Sequence, residues 1–276
     1  MASTDVPSAS AADALLPPLR YRWILGMRVD ATSYDDAVER VIRWAKYGES
    51  RTVFVATVNN VMHSYDDPTY RHVMNDGDLV TPDGMPLVWG LRWLGVRSAT
   101  RVCGPELMPR LLARAATEGV PVGLYGGTPE VLADLRAFAA RAFPALRIVY
   151  AEAPPFRELA AEEERRSAAE IARSGARIVF VGLGCPKQER WMARNRGRVP
   201  AVTVGVGAAF DFLSGRKRQA PRLLQRAGLE WAFRLATEPR RLWRRYLKQN
   251  PRFVALFAAQ LLGWRRGGSW ANGGSR

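Results

Sequence analysis

The sequence predicts an α/β fold built on a mainly parallel sheet, followed by a helical appendage of strongly basic character. Two observations give the first part. Short β-branched runs alternate with stretches of helical character, and each run is apolar at consecutive positions, as in strands buried on both faces. A third gives the appendage. The 276-residue chain holds 41 Lys and Arg and 26 Asp and Glu, of which residues 216–276 hold 15 and 2, so a body of net charge +2 carries a tail of +13.

Residues 1–19, rich in Ala, Ser and Pro and closing on Pro17-Pro18, are expected to be a disordered leader. The fold is expected to begin near Tyr21. Strands are expected at residues 52–57 (TVFVAT), 121–125 (PVGLY), 146–150 (LRIVY), 177–182 (RIVFVG) and 199–204 (VPAVTV). Helix starts are marked by Ser33 with Asp36 three residues later, by Pro105 after Gly104, by Pro129 after Thr128, and by the acidic run from Glu158. The core is therefore set at residues 20–215. Beyond Gly215 only helical stretches remain, punctuated by Pro239 and Pro251, with Arg interleaved among Leu, Trp, Tyr and Phe. Residues 216–266 form the expected appendage and residues 267–276 a flexible tail.

Composition narrows the class further. With 47% hydrophobic and 24% charged residues the chain can bury a large core, which excludes a disordered or fibrous protein. Cys103 and Cys185, the only cysteines, lie too far apart in sequence for a disulfide framework or a cysteine zinc site, and a reducing compartment is expected. Residues 1–14 include Asp5 and Asp13 and no long apolar stretch, unlike a signal peptide. The late apolar run at 253–264 is broken by Gln260 and Gly263 and falls short of the roughly 20 residues that span a bilayer. The basic end, with a chain pI of about 10.7, calls for an anionic partner: membrane headgroups, nucleic acid or a polyphosphate-bearing substrate.

In open α/β sheets ligands lie beyond the carboxyl ends of the strands. Four such ends carry polar or glycine residues: Val58-Asn59-Asn60, Thr81-Pro82-Asp83-Gly84, Gly126-Gly127-Thr128, and Leu183-Gly184-Cys185-Pro186-Lys187-Gln188. Each precedes a helix start, where free N–H groups favour phosphate. No complete dinucleotide-binding glycine fingerprint and no Walker lysine motif is present, which disfavours a dehydrogenase or a nucleoside triphosphatase. Asp83 reads either as part of a Pro-Asp-Gly turn or as a general base at the crevice mouth. Asp76-Gly77-Asp78 reads either as a metal-holding pair or as a surface turn. His63 and His72 read as helix-surface residues, and Gly126-Gly127 as a tight turn or a phosphate cradle.

Four segments match a known family in order, spacing and length: residues 55–95 (VATVNNVMHSYDDPTYRHVMNDGDLVTPDGMPLVWGLRWLG), 101–108 (RVCGPELM), 182–192 (GLGCPKQERWM), and 204–247, which opens VGVGAAFDFLSGRKRQAP. The chain strongly resembles the WecG/TagA/CpsF bacterial glycosyltransferases (glycosyltransferase family 26) from about Trp23 to Leu247. The resemblance implies a Rossmann-like core of the type termed GT-E and a C-terminal appendage that docks on the cytoplasmic face of the membrane. It also implies inverting, metal-independent transfer of a sugar from a UDP-sugar to a polyprenyl-diphosphate-linked saccharide in cell-wall polymer or exopolysaccharide assembly. No cofactor is expected, and self-association is a property of the family. The catalytic base falls on Asp83, with Thr57 and Asn59 beside it. Arg101, Gly126, Gly127, Gln188 and Asp211 fall on substrate-binding positions, and Arg234, Arg241 and Arg244 on appendage arginines that close over the diphosphate in place of a metal. The two cysteines are expected to pack only. A nucleic-acid-binding module or a noncatalytic membrane scaffold would share the basic appendage but would need no strand-end crevice; no nucleic acid is expected as a partner.

Overall fold

The computed structural model of the chain describes residues 12–263. A six-stranded sheet forms its centre, with strands β3 (Arg51–Ala56), β4 (Leu79–Pro82), β5 (Val122–Gly126), β6 (Ile148–Glu152), β7 (Ile178–Gly182) and β8 (Val202–Gly205). All are parallel, in the order β4-β3-β8-β7-β5-β6. Alternate residues of one strand feed two separate cores. Val53 and Val55 of β3, and Ile178 and Phe180 of β7, pack on one side, while Phe54, Ala56, Val179 and Val181 pack on the other. A strand that must be apolar on both faces reads as an unbroken hydrophobic run, which is how the sequence marks it.

Helices cover both faces. α1 (Tyr34–Tyr47) packs on α5 (Gly104–Glu118), and α6 (Pro129–Ala142) joins them on the first face with the short α9 (Ala209–Leu213). The second face carries α2 (Val58–Asp66), α3 (Pro68–Asn75), α4 (Met85–Trp93), α7 (Ala161–Ser174) and α8 (Lys187–Arg194). The expected caps form: Ser33 Oγ accepts from the Asp36 N–H at 3.2 Å, and Thr128 Oγ1 from the Val131 N–H at 3.3 Å. The α/β sandwich with a mainly parallel sheet is thus the predicted, Rossmann-like class.

Two features depart from the sequence reading, and a third decides between two readings it left open. An antiparallel hairpin of β1 (Arg20–Ile24) and β2 (Met27–Ala31) precedes the sheet. Its two-residue turn puts Leu25 at φ 48° and Gly26 at φ 84°, and leucine is not a residue that signals such a turn. Buried Asp30 ties the hairpin to the sheet edge, accepting from the Val80 N–H at 2.7 Å and from Arg28 Nη2 at 2.9 Å. Second, within the stretch expected to be a leader, Asp13–Leu15 forms a short 3-10 turn, and Asp13 accepts from Trp44 Nε1 and Arg51 Nη2 at 2.9 and 2.7 Å. Third, Asp76-Gly77-Asp78 is a turn tied up by the protein itself. Asp78 takes hydrogen bonds from the Thr52 N–H, Arg51 and Arg196, each at 2.8 Å.

The chain ends in α10 (Arg222–Arg226), α11 (Glu230–Thr237) and the 23-residue α12 (Pro239–Leu261). The second half of α12 is fixed to the rest of the molecule. Phe253 and Phe257, two of the aromatic residues interleaved with the appendage arginines, are buried, and Phe257 stacks on Trp93 with centroids 6.2 Å apart. Gly90 of α4 leaves room for that ring: a Cβ there would lie 3.2 Å from it. Gln260 bridges to the hairpin, accepting from the Leu25 N–H at 2.9 Å and donating to the Trp23 carbonyl at 2.7 Å. Among the described residues no helix is long and apolar enough to cross a membrane.

Candidate active site

Register brings the strand ends together. Ala56 of β3 pairs with Pro82 of β4, so the next residues, Thr57 and Asp83, leave the sheet side by side, and the Asp83 N–H donates to the Ala56 carbonyl at 2.9 Å. Gly126 of β5 pairs with Gly182 of β7 at the same level. The carboxyl ends of five strands therefore rim one open crevice, lined among others by Thr57, Asp83, Gly127, Gln188, Asp211 and Arg234. A second, smaller cavity lies between the core and the last helices, against Asn59, Arg101, Trp231, Tyr246, Gln249 and Asn250. Thr57, Asp83, Glu230 and Arg234 line both. Asp83 sits where the two spaces meet.

Asp83 is held by one arginine. Arg101 Nη2 donates to Asp83 Oδ1 at 3.0 Å and Nε donates to the Asp83 carbonyl. The same Nη2 donates to Glu230 Oε2 at 2.6 Å, and Nη1 to Gln225 Oε1 at 3.2 Å. Two carboxylates thus share one guanidinium; burial works against its charge, and Asp83 and Glu230 more than offset that. Burial pushes the Asp83 carboxyl above the ordinary aspartate range; Arg101 opposes this, and the Glu230 charge reinforces it. The side chain still keeps 21% of its exposure, so a substrate hydroxyl can reach it. Cys103, at the N-terminus of α5, is pushed up to about 12 by burial and by the Asp83 charge, and stays a thiol.

Thr57 caps α2 through a reciprocal contact: its N–H and its hydroxyl donate to Asn60 Oδ1 at 3.0 and 2.9 Å. Asn60 then donates to Tyr70 Oη at 2.9 Å and to Glu189 Oε1 at 3.1 Å. Gln188 completes the group, donating to Glu189 Oε1 at 2.9 Å and accepting the Gly184 N–H at 3.2 Å. Glu189 is fully buried, and its Oε2 has no hydrogen-bond partner among the described residues. Burial pushes its carboxyl up, favouring the neutral acid.

The glycine pair divides its work. Gly126 does not line the crevice; it has φ 122°, and a Cβ there would lie 2.6 Å from the Gly182 carbonyl carbon. It lets two strand ends touch, whereas Gly127 forms the wall. Long helices begin at this wall, α6 after Thr128 and α8 after Pro186, and their free N–H groups favour a bound anion. Asp211 lines the same crevice and pairs with Lys217 at 2.7 Å. Arg234 Nε is buried without a hydrogen-bond partner among the described residues. Arg241 and Arg244 lie on α12, but their side chains are outside the described residues. Cys185, expected to pack only, accepts from Asn59 Nδ2 at 3.1 Å and lines the crevice.

Sequence reasoning passed over Gln225, Glu230 and Glu189. Glu230 stood out by sign, being one of only two acidic residues beyond position 215. Glu189 followed Gln188 inside a quoted segment. Among the described residues no three or more of His, Cys, Asp and Glu cluster as a metal-binding group.

Comparison with known proteins agrees with this architecture. A profile of the glycosyl transferase WecG/TagA/CpsF family matches residues 22–267. The chain is also 32% identical over 209 residues to an N-acetylglucosaminyldiphosphoundecaprenol N-acetyl-beta-D-mannosaminyltransferase of Bacillus spizizenii, covering 75% of this chain and 79% of the relative. With the parallel sheet, the strand-end crevice and a match across nearly the whole described chain, this protein belongs to the glycosyl transferase WecG/TagA/CpsF family.

Proposed function

We propose that the protein is an inverting, metal-independent transferase that moves N-acetylmannosamine from UDP-N-acetylmannosamine to a polyprenyl-diphosphate-linked N-acetylglucosamine in cell-wall polymer synthesis. The donor sugar and acceptor follow the activity named for the relative, with a related hexose or uronic acid as the other donors of this class. One observation carries the chemistry: two cavities meet at Asp83, the carboxylate at the end of β4, with Glu230 beside it on the appendage.

Inversion needs donor and acceptor on opposite sides of the reacting carbon. UDP belongs in the larger crevice, its diphosphate toward the glycine wall and the N-termini of α6 and α8, and the acceptor sugar in the smaller cavity against Trp231 and Tyr246. The acceptor hydroxyl then gives its proton to Asp83 as its oxygen bonds the anomeric carbon. The bond from that carbon to the phosphate oxygen breaks on the far side, through an oxocarbenium-like transition state, and its electron pair leaves with UDP. Arg234, whose Nε lacks a partner, with Arg241 and Arg244 from the appendage, takes up the charge that grows on the leaving diphosphate. Gln188 and Asp211 stand at the nucleotide. Residues 20–215 act as the catalytic core and residues 216–266 as a basic appendage that seats a peripheral enzyme on the cytoplasmic membrane face.

Release of UDP by the full chain tests this, with UDP-N-acetylmannosamine among several UDP-sugars, a short-chain polyprenyl-diphosphate N-acetylglucosamine acceptor, and EDTA present. Acceptor-dependent release that survives EDTA and falls at least about 100-fold in Asp83→Asn is expected. Release that requires a divalent ion, or an undiminished Asp83→Asn enzyme, refutes it.

A further inference from the structure

The contact that most sets this site apart lies between the core and its last helices. Arg101 comes from the core, while Glu230 is the first residue of α11 and Gln225 belongs to α10. Arg101 presents one Nη2 to two acids, Asp83 Oδ1 at 3.0 Å and Glu230 Oε2 at 2.6 Å, and its Nη1 to Gln225. An arginine alone beside a carboxylate makes that carboxylate a poor base, because it stabilises the charged form. A second carboxylate on the same guanidinium takes part of that charge and repels the first. Glu230 opens α11, so its carboxylate reaches Arg101 only where α11 is seated against the core.

We propose that Glu230 is a positioning residue for the proposed base: by taking the same Arg101 Nη2 that holds Asp83 it fixes the guanidinium and divides its charge between the two carboxylates when α11 is seated against the core. Base strength thereby depends on the appendage being in place. This rests on reading Asp83 as the base. The other groups facing Asp83 do not replace Glu230. Arg101 and Arg234 pull its proton affinity down, Cys103 is a neutral thiol, and Tyr246 stands across the smaller cavity. Among the described residues Glu230 is the acid that shares Arg101 with Asp83, and its charge shifts that carboxyl upward.

The test is the pH dependence of kcat/KM for UDP release in Glu230→Gln and Glu230→Asp, measured on the full chain beside the parent and Asp83→Asn. Glutamine keeps an acceptor for Arg101 and removes the charge. The acid limb, which reports the base in the free enzyme, should move to lower pH by about one unit, and kcat on the plateau should fall several-fold with donor KM changed less than about twofold. Glu230→Asp keeps the charge and should hold the acid limb within about 0.3 units of the parent. An acid limb unmoved in Glu230→Gln, or moved equally in both variants, overturns the proposal even where kcat falls. Should Asp83→Asn stay active, the reading of Asp83 itself fails, which is a separate result.

Discussion

Replacing Gly126 by alanine separates the two jobs of the glycine pair. Gly126 ends β5 against Gly182 and holds φ at 122°, a conformation that L side chains avoid. A Cβ there would lie 2.6, 2.7 and 2.9 Å from the carbonyl carbon, oxygen and nitrogen of Gly182. All three are backbone atoms of a central strand, so no side chain can swing aside and the strands themselves must part. Overpacking of this kind costs about 1–3 kcal/mol and the backbone strain a similar amount, roughly 2–6 kcal/mol together. At about 2–4 °C per kcal/mol for a chain of this size, the thermal midpoint should drop by at least about 4 °C. Gly127→Ala is the control: its Cβ would lie 3.1 Å from Val131 Cγ1, a methyl that can yield, although φ of 72° still carries strain. That variant should unfold closer to the parent and instead raise the KM for the donor, because Gly127 forms the crevice wall. Melting followed by circular dichroism, with donor kinetics on the same samples, decides. A Gly126→Ala midpoint within about 2 °C of the parent, or a Gly127→Ala protein that melts lower, would refute the division.

Asp83 must be ionised to accept a proton, and burial raises its proton affinity, so kcat/KM should decline on the acid side with a midpoint above about 3.9; a midpoint at or below that value contradicts the burial argument. Glu189→Leu should leave the donors of Asn60 and Gln188 buried without an acceptor, at about 1–3 kcal/mol each, and raise donor KM. Glu189→Gln keeps an acceptor oxygen, so urea unfolding should place it within about 1 kcal/mol of the parent, and equal losses in the two variants would sink the account. Phe257→Ala should cost about 3–5 kcal/mol by emptying the space between α12 and Gly90, read in the same unfolding assay, and a loss below about 1 kcal/mol would mean that the ring does not fasten α12.

The parallel sheet was legible because its strands are apolar on both faces and its helices open on Ser33, Thr128 and proline, signals that lie within a few residues of what they specify. The hairpin was not. Its turn uses Leu25, and its hold on the sheet comes from the buried Arg28 and Asp30, which sequence alone reads as surface charges. Asp83 could be placed at a strand end from its own neighbours, but its partner Arg101 lies 18 residues away and Glu230 a further 129. No local pattern couples residues so separated. Gly126 shows the opposite limit: the pair of glycines announced a turn, while the assignment of one to strand packing and the other to the crevice needed the register of β5 on β7. The burial of Phe253 and Phe257 was hidden for the same reason, since a basic aromatic helix reads alike whether its rings face a lipid or a groove in the same chain.

The long last helix links these parts. Trp243, Leu247, Val254 and Leu261 are all exposed, and at 100° per residue they fall within about 40° of one another, a single apolar stripe along α12. Phe253, Phe257 and Gln260 fall on an adjoining face and fasten the helix to the core, while Tyr246, Gln249 and Asn250 of the same helix wall the smaller cavity. A stripe that met only water would bring no advantage to a charged helix. Laid on a bilayer it inserts among the acyl chains with cations beside it. The meeting of two cavities at Asp83, the seating of Glu230 on Arg101 and the stripe on α12 all fit the proposed transfer, in which the hydroxyl comes from a lipid-linked sugar and the leaving group returns to water.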